Sequence, residues 1–84
     1  GDVYKRQLKN IRENFKLMEK FDLKNIENMM RDELKELNMK PKEGFQATRI
    51  AVTGTKISPP LFESIFALGK SATIARLAEM IENL

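Results

Sequence analysis

The 84-residue sequence contains no cysteine, no histidine and no tryptophan. Without cysteine there is no disulfide framework and no thiolate zinc site, and without histidine the commonest metal ligand and general base is missing. No apolar run approaches the roughly 18 residues of a membrane-spanning helix, and no apolar segment follows the N-terminus as in a secretory signal. These absences point to a soluble chain with no membrane partner and an intracellular, cytoplasmic setting. Charge of one sign is also scarce. Fifteen basic against twelve acidic side chains give a net charge of +3, too little for binding nucleic acid by charge alone. Charge thins along the chain: residues 1–43 hold 11 Lys/Arg and 9 Asp/Glu, residues 44–84 only 4 and 3. The few cations of the second half therefore stand out individually.

What is present is helical periodicity. Leu8, Ile11, Phe15 and Met18 recur at spacings of three and four, which predicts a first helix from Leu8 to about Lys20. Asp22 is placed to cap a second helix, with Leu23, Ile26, Met30, Leu34 and Leu37 as its buried stripe and Glu27–Arg31 as a surface ion pair. Lys40-Pro41 breaks the pattern, because the residue before proline leaves the α region and proline suits the first helical position. A third helix is expected over about 41–53, weakened by Gly44 and stopped by Gly54 in a left-handed conformation. A nearly all-apolar helix over 59–68 follows, beginning at Pro59 and Pro60 and ended by Gly69, then a last helix from about Ser71. The expected architecture is all-α, five short helices in an irregular or orthogonal bundle. Gly1 to Gln7 has no periodic partner downstream, and Asp-Val-Tyr-Lys-Arg-Gln resembles the translation of a transposon end sequence. Residues 1–7 are accordingly read as a non-native scar or disordered arm, and 8–84 as the helical domain.

No catalytic or metal-binding constellation emerges. "SIFALGKS" ends like a phosphate loop, but Ser64 stands where its first glycine must be and Ile65 to Leu68 read as buried helix. Glu33 and Glu36 fall at helix-surface spacing and read as a solvated face. A duplex-DNA reader needs a polar, basic recognition helix, whereas 59–68 is apolar and 71–83 carries Arg76 beside two glutamates. A stand-alone protein-interaction module, with Met29 or Phe66 lining a partner groove, is the alternative from another class.

"TGTKISPPLFE", residues 53–63, has another character. Ser58 as cap followed by two prolines would leave the next helix short of free N–H groups, which argues against a phosphate cradle. A hydroxyl at Ser58 and apolar faces at Pro59 and Leu61 suit an unstacked base, and Lys56 an adjacent phosphate. Arg49 lies near the start of the same loop; the helix dipole favours a cation there, and a guanidinium fork also reads base edges.

"FQATRIAVTGTKISPPLFESIFALGKSATIARL" resembles the C-terminal anticodon-binding helical domain of bacterial-type glutamyl-tRNA synthetases: an arginine, an apolar triplet with Thr-Gly, Pro-X-Leu-Phe-Glu, and Leu-Gly-Lys before a final helix. The likeness covers about residues 8–84. It implies Arg49 as a base-edge contact, Ser58 and Pro59 at the start of the next helix, and Leu61 as the leucine of Pro-X-Leu-Phe, with Pro60 where the family often has glycine. Lys56 and Lys70 are candidate phosphate contacts. The implied partners are the anticodon loop of a glutamate tRNA and a catalytic domain on the same parent chain, acting as a monomer. The family's nucleotide-binding catalytic fold has no counterpart in these residues, so ATP and Mg would serve the parent and no cofactor this segment.

Overall fold

The computed structural model describes residues 2–57 and 59–84. Among these, every regular element is helical: α1 (Asp2–Leu17), α2 (Leu23–Glu36), the single turn α3 (Pro41–Gly44), α4 (Gln46–Thr53), α5 (Leu61–Leu68) and α6 (Lys70–Glu82). Helix α1 packs chiefly on α6 and also on α2 and α4, α4 crosses α6, and α5 fills the space between α2, α4 and α6.

The apolar stripes build the core as their spacing requires. Leu8, Ile11 and Phe15 of α1, Ile26 and Met30 of α2, Ile65 of α5 and Leu77 of α6 are fully buried. Each such side chain stabilises the fold by roughly 1.5–3 kcal/mol of transfer free energy relative to exposure. Met30 is thus core filling, and Met29 packs at its edge. The stripes fail at three places: Leu23 is 42% exposed at the start of α2, Leu84 is 54% exposed beyond the last turn, and Phe66 is 48% exposed, stacked on Phe21 at 6.3 Å instead of entering the interior.

Capping explains where helices stop. Asp22 has extended dihedrals and its Oδ1 accepts from the Asn25 amide at 2.8 Å. At the other end of α2, Asn38 takes φ 55°, the Asn38 amide donates to the Lys35 carbonyl and the Met39 amide to the Leu34 carbonyl. This is the two-bond left-handed ending that asparagine tolerates. Gly54 ends α4 with φ 77° and its amide on the Ile50 carbonyl. Gly69, at φ 95° and ψ 160°, separates α5 from α6, so Ser64 to Gly69 is helix and turn and not a phosphate loop.

Several boundaries differ from the periodicity. Helix α1 begins at Asp2 and ends at Leu17, and Gln7 is fully buried with its Nε2 donating to the Gly44 carbonyl at 2.5 Å. The helix expected over 41–53 is jointed at Phe45, whose ψ of −9° loosens the turn while its amide still reaches the Pro41 carbonyl. Glu33 is not on a solvated face. It is 4% exposed, with Oε1 accepting from Asn10 Nδ2 of α1 at 3.0 Å, whereas Glu36 is exposed as expected. Helix α5 begins at Leu61, with Pro60 as the residue that caps it.

Candidate nucleic-acid interface

The segment between α4 and α5 is shaped by its own hydroxyls. Thr53 Oγ1 bonds back to the Arg49 carbonyl at 2.7 Å and accepts from the Thr55 amide at 3.3 Å, and Thr55 Oγ1 accepts from the Ile57 amide at 3.3 Å. Such short-range bonds fold a chain into consecutive tight turns without secondary structure. Arg49 Nη1 then donates to the Pro59 carbonyl at 2.5 Å, clasping the far end of the loop to α4. The dipole explanation for Arg49 is therefore incomplete, since this guanidinium bridges two segments.

The two prolines lie before α5 and not inside it. Pro60 has φ −54° and ψ 131°, and its carbonyl accepts from the Ser64 amide at 3.0 Å and the Ser64 hydroxyl at 2.7 Å. Leu61, Phe62 and Glu63 consequently keep amides with no partner inside the helix, and the expected shortage of N–H groups at this helix start is corrected. The reason is steric: proline fixes φ, but nothing forces the preceding residues into helical ψ.

An open cleft of about 590 Å³ results, lined by Pro41, Lys42, Gln46, Arg49, Lys56, Ile57, Pro59, Pro60, Leu61 and Glu63, together with Arg31, Phe45 and Phe62. Its size is that of a small-molecule pocket. Of the residues singled out by sequence, Arg49, Lys56, Pro59 and Leu61 come together here. Pro59 is exposed, while Leu61 is 4% exposed and belongs to the hydrophobic core, so it serves as cleft floor more than as an open face. Ser58 lies outside the described residues. Lys70 is not part of the cleft: its Nζ donates to the Met18 carbonyl at 2.5 Å, tying the start of α6 to the end of α1. Arg76 likewise caps another helix, donating to the Val52 carbonyl of α4 at 2.5 Å.

Arg31 was expected only as a surface partner of Glu27. That bond exists, Nε to Oε2 at 2.7 Å, but the guanidinium also lies 5.5 Å from the Phe62 ring centroid and 5.9 Å from that of Phe45. The two rings meet edge to face at 5.4 Å. An arginine held at its Nε by a carboxylate and set over two aromatic rings keeps its terminal nitrogens as donors with fixed direction. Periodicity within α2 carries no sign of this, because one ring comes from the joint between α3 and α4 and the other from α5. Lys42 was also missed, its position in the cleft depending on the Phe45 joint.

Apolar platforms beside four cations suit holding the planar bases and charged phosphates of an anionic polymer. Among the described residues no group of three or more histidine, cysteine or acidic side chains is arranged to hold a metal ion. No described helix is long and apolar enough to cross a membrane.

Comparison with known proteins agrees with this chemistry. The family model for the anticodon binding domain matches residues 2–81. The chain belongs to the anticodon-binding domain family. Curated proteins similar to it include glutamate–tRNA ligase 2 of Thermosipho melanesiensis, 34% identical over 98% of this chain and 17% of that protein. Glutamate–tRNA ligase of Rhodococcus jostii is 41% identical over 71% of the chain and 12% of that protein, and the enzyme of Leifsonia xyli 48% identical over 66% and 11%. The anticodon-binding domain described here therefore spans only about a sixth or less of the length of these relatives. The expected all-α fold of about five short helices is the fold observed, with the third expected helix divided into the single turn α3 and helix α4.

Proposed function

We propose that this domain reads unpaired anticodon bases of a glutamate tRNA, as part of a longer chain whose catalytic portion joins glutamate to that tRNA with ATP and Mg. The observation that carries the proposal is the cleft, in which Arg49, Lys56 and Pro59 meet beside Arg31 and Lys42. A splayed base lies on the exposed Pro59 surface, and Arg49, with one donor committed to the Pro59 carbonyl, offers its remaining N–H groups to the base edge. Lys56 and Lys42 neutralise the flanking phosphates. Ser58, beside Pro59 in sequence, supplies a hydroxyl to the same base, and Lys70 steadies the bundle through Met18 more than it touches RNA. The domain acts as a monomer in the cytoplasm, positioning the distal end of the tRNA so that its acceptor end reaches the catalytic portion.

In this proposal residues 8–84 are the native domain and 1–7 a translated scar.

The test is binding of a fluorescent anticodon stem-loop of a glutamate tRNA. Arg49→Ala is expected to weaken binding about 10- to 100-fold, the effect of losing a charged hydrogen bond at a base edge. Its melting temperature should stay near that of the parent, since the guanidinium bridges only surface segments. Two phosphates neutralised by Lys42 and Lys56 would give log K against log salt a slope of about −1.4. Unchanged affinity in folded Arg49→Ala would remove Arg49 from the site, and equal binding of a plain duplex would remove the function.

A further inference from the structure

We infer that the Glu63 carboxylate decides which unpaired base the cleft accepts, favouring bases that present an amino group over uracil; this rests on the RNA-reading function proposed above. Glu63 is exposed in the first turn of α5 and is the one carboxylate among the described residues lining a cleft that also holds Arg31, Lys42, Arg49 and Lys56. A surface that only held phosphates would be weakened by an open negative charge. None of the four cations neutralises it: Arg31 is paired with Glu27, Arg49 is bound to the Pro59 carbonyl, and neither lysine forms an ion pair among the described residues. The helix dipole explains why a carboxylate is stable in this turn. It does not explain a free one inside a cation-lined cleft.

An ionised carboxylate only accepts hydrogen bonds. Cytosine places an N4 amino donor on its base-pairing edge and adenine an N6 amino donor, and each gives the carboxylate a bond. Uracil puts a carbonyl oxygen at the corresponding place, so two acceptors face each other. The apolar surface of Pro59 receives any base, Arg49 meets acceptor atoms, and Glu63 adds the discriminating acceptor beside them.

The experiment is fluorescence anisotropy with hairpins carrying a seven-nucleotide loop, each unpaired position set in turn to cytosine or uracil. The protein is expected to prefer cytosine by about 10-fold at one loop position. Glu63→Gln, whose amide both donates and accepts, should reduce that preference to about 2-fold or less while raising affinity for the uracil loop. Glu63→Asp, which keeps the charge, should retain the sign of the preference. If Glu63→Gln shifts every hairpin by one common factor, or if the unaltered protein shows no cytosine preference at any position, Glu63 is only a helix-terminus charge and the inference is overturned. If the unaltered protein binds no hairpin better than a duplex, the RNA-reading function itself has failed. That outcome is separate from loss of selectivity alone.

Discussion

Gly44→Ala places two opposing effects at one atom. On helix propensity alone the change is favourable by up to about 1 kcal/mol, because alanine loses less backbone freedom than glycine in a helical turn. Gly44 closes α3 with ordinary negative φ, so no strain opposes it. The added Cβ, however, would collide with Leu34 Cδ2 and stand 3.2 Å from Leu34 Cγ and 3.4 Å from Cδ1. Leu34 is 3% exposed and belongs to the core, so it can only yield by leaving its rotamer or displacing α3. Overpacking of that kind costs about 1–3 kcal/mol. The balance is a loss of about 1 kcal/mol, or about 4–8 °C in a domain of this size. Urea unfolding followed by helical circular dichroism measures it. The decisive comparison repeats the change in a Leu34→Val background, where the δ carbons are gone and Gly44→Ala should turn neutral or stabilising. A stabilised Gly44→Ala in the parent, or an equal effect in both backgrounds, would refute the packing explanation.

Other substitutions probe other links. Asp22→Ala should cost about 1 kcal/mol by removing the cap on the Asn25 amide, read as a lower urea midpoint at unchanged slope. Thr53→Val keeps side-chain shape but removes the bonds to the Arg49 carbonyl and the Thr55 amide; hairpin affinity should drop about 3- to 10-fold with little change in melting temperature, and Thr53→Ser should restore it. Phe66→Ala should leave hairpin affinity unchanged, because Phe66 stacks on Phe21 away from the cleft; a large loss in the folded variant would place a second RNA contact there. The Lys16 hydrogen bond, with Arg12 beside it, holds the Glu13 carboxyl below its ordinary range. A lowered folded-state pKa stabilises above the unfolded value and is lost as pH falls through the folded one. The difference in melting temperature between the parent and Glu13→Gln should therefore narrow between about pH 7 and about pH 3.

Local signals were legible where one helix decides the outcome. The spacing of Leu8, Ile11 and Phe15, or of Ile26, Met30 and Leu34, needs only the helical period to find the core, and Asp22 and Gly54 act on their own termini. The misplaced features depend on partners distant in sequence. Glu33 is buried because Asn10, 23 residues earlier, meets its carboxylate, and Arg31 enters the cleft because Phe45 and Phe62 put their rings beneath it. Phe45 joints the third helix as its ring meets Phe62, and Lys70 is drawn to a carbonyl 52 residues away. Pro59 and Arg49 could be singled out from the residue types an unpaired base requires, together with the family resemblance. The bond joining them could not, since the chain between residues ten positions apart can close in many ways.

The most direct measurement is an amide correlation spectrum of the ¹⁵N-labelled 84-residue chain during titration with the anticodon stem-loop of a glutamate tRNA. The account predicts that the largest shifts cluster at Lys42, Arg49, Lys56, Ile57, Leu61 and Phe62, saturating at one RNA per chain. Shifts centred instead on Phe21 and Phe66, or spread evenly over exposed lysines without saturation, would contradict it.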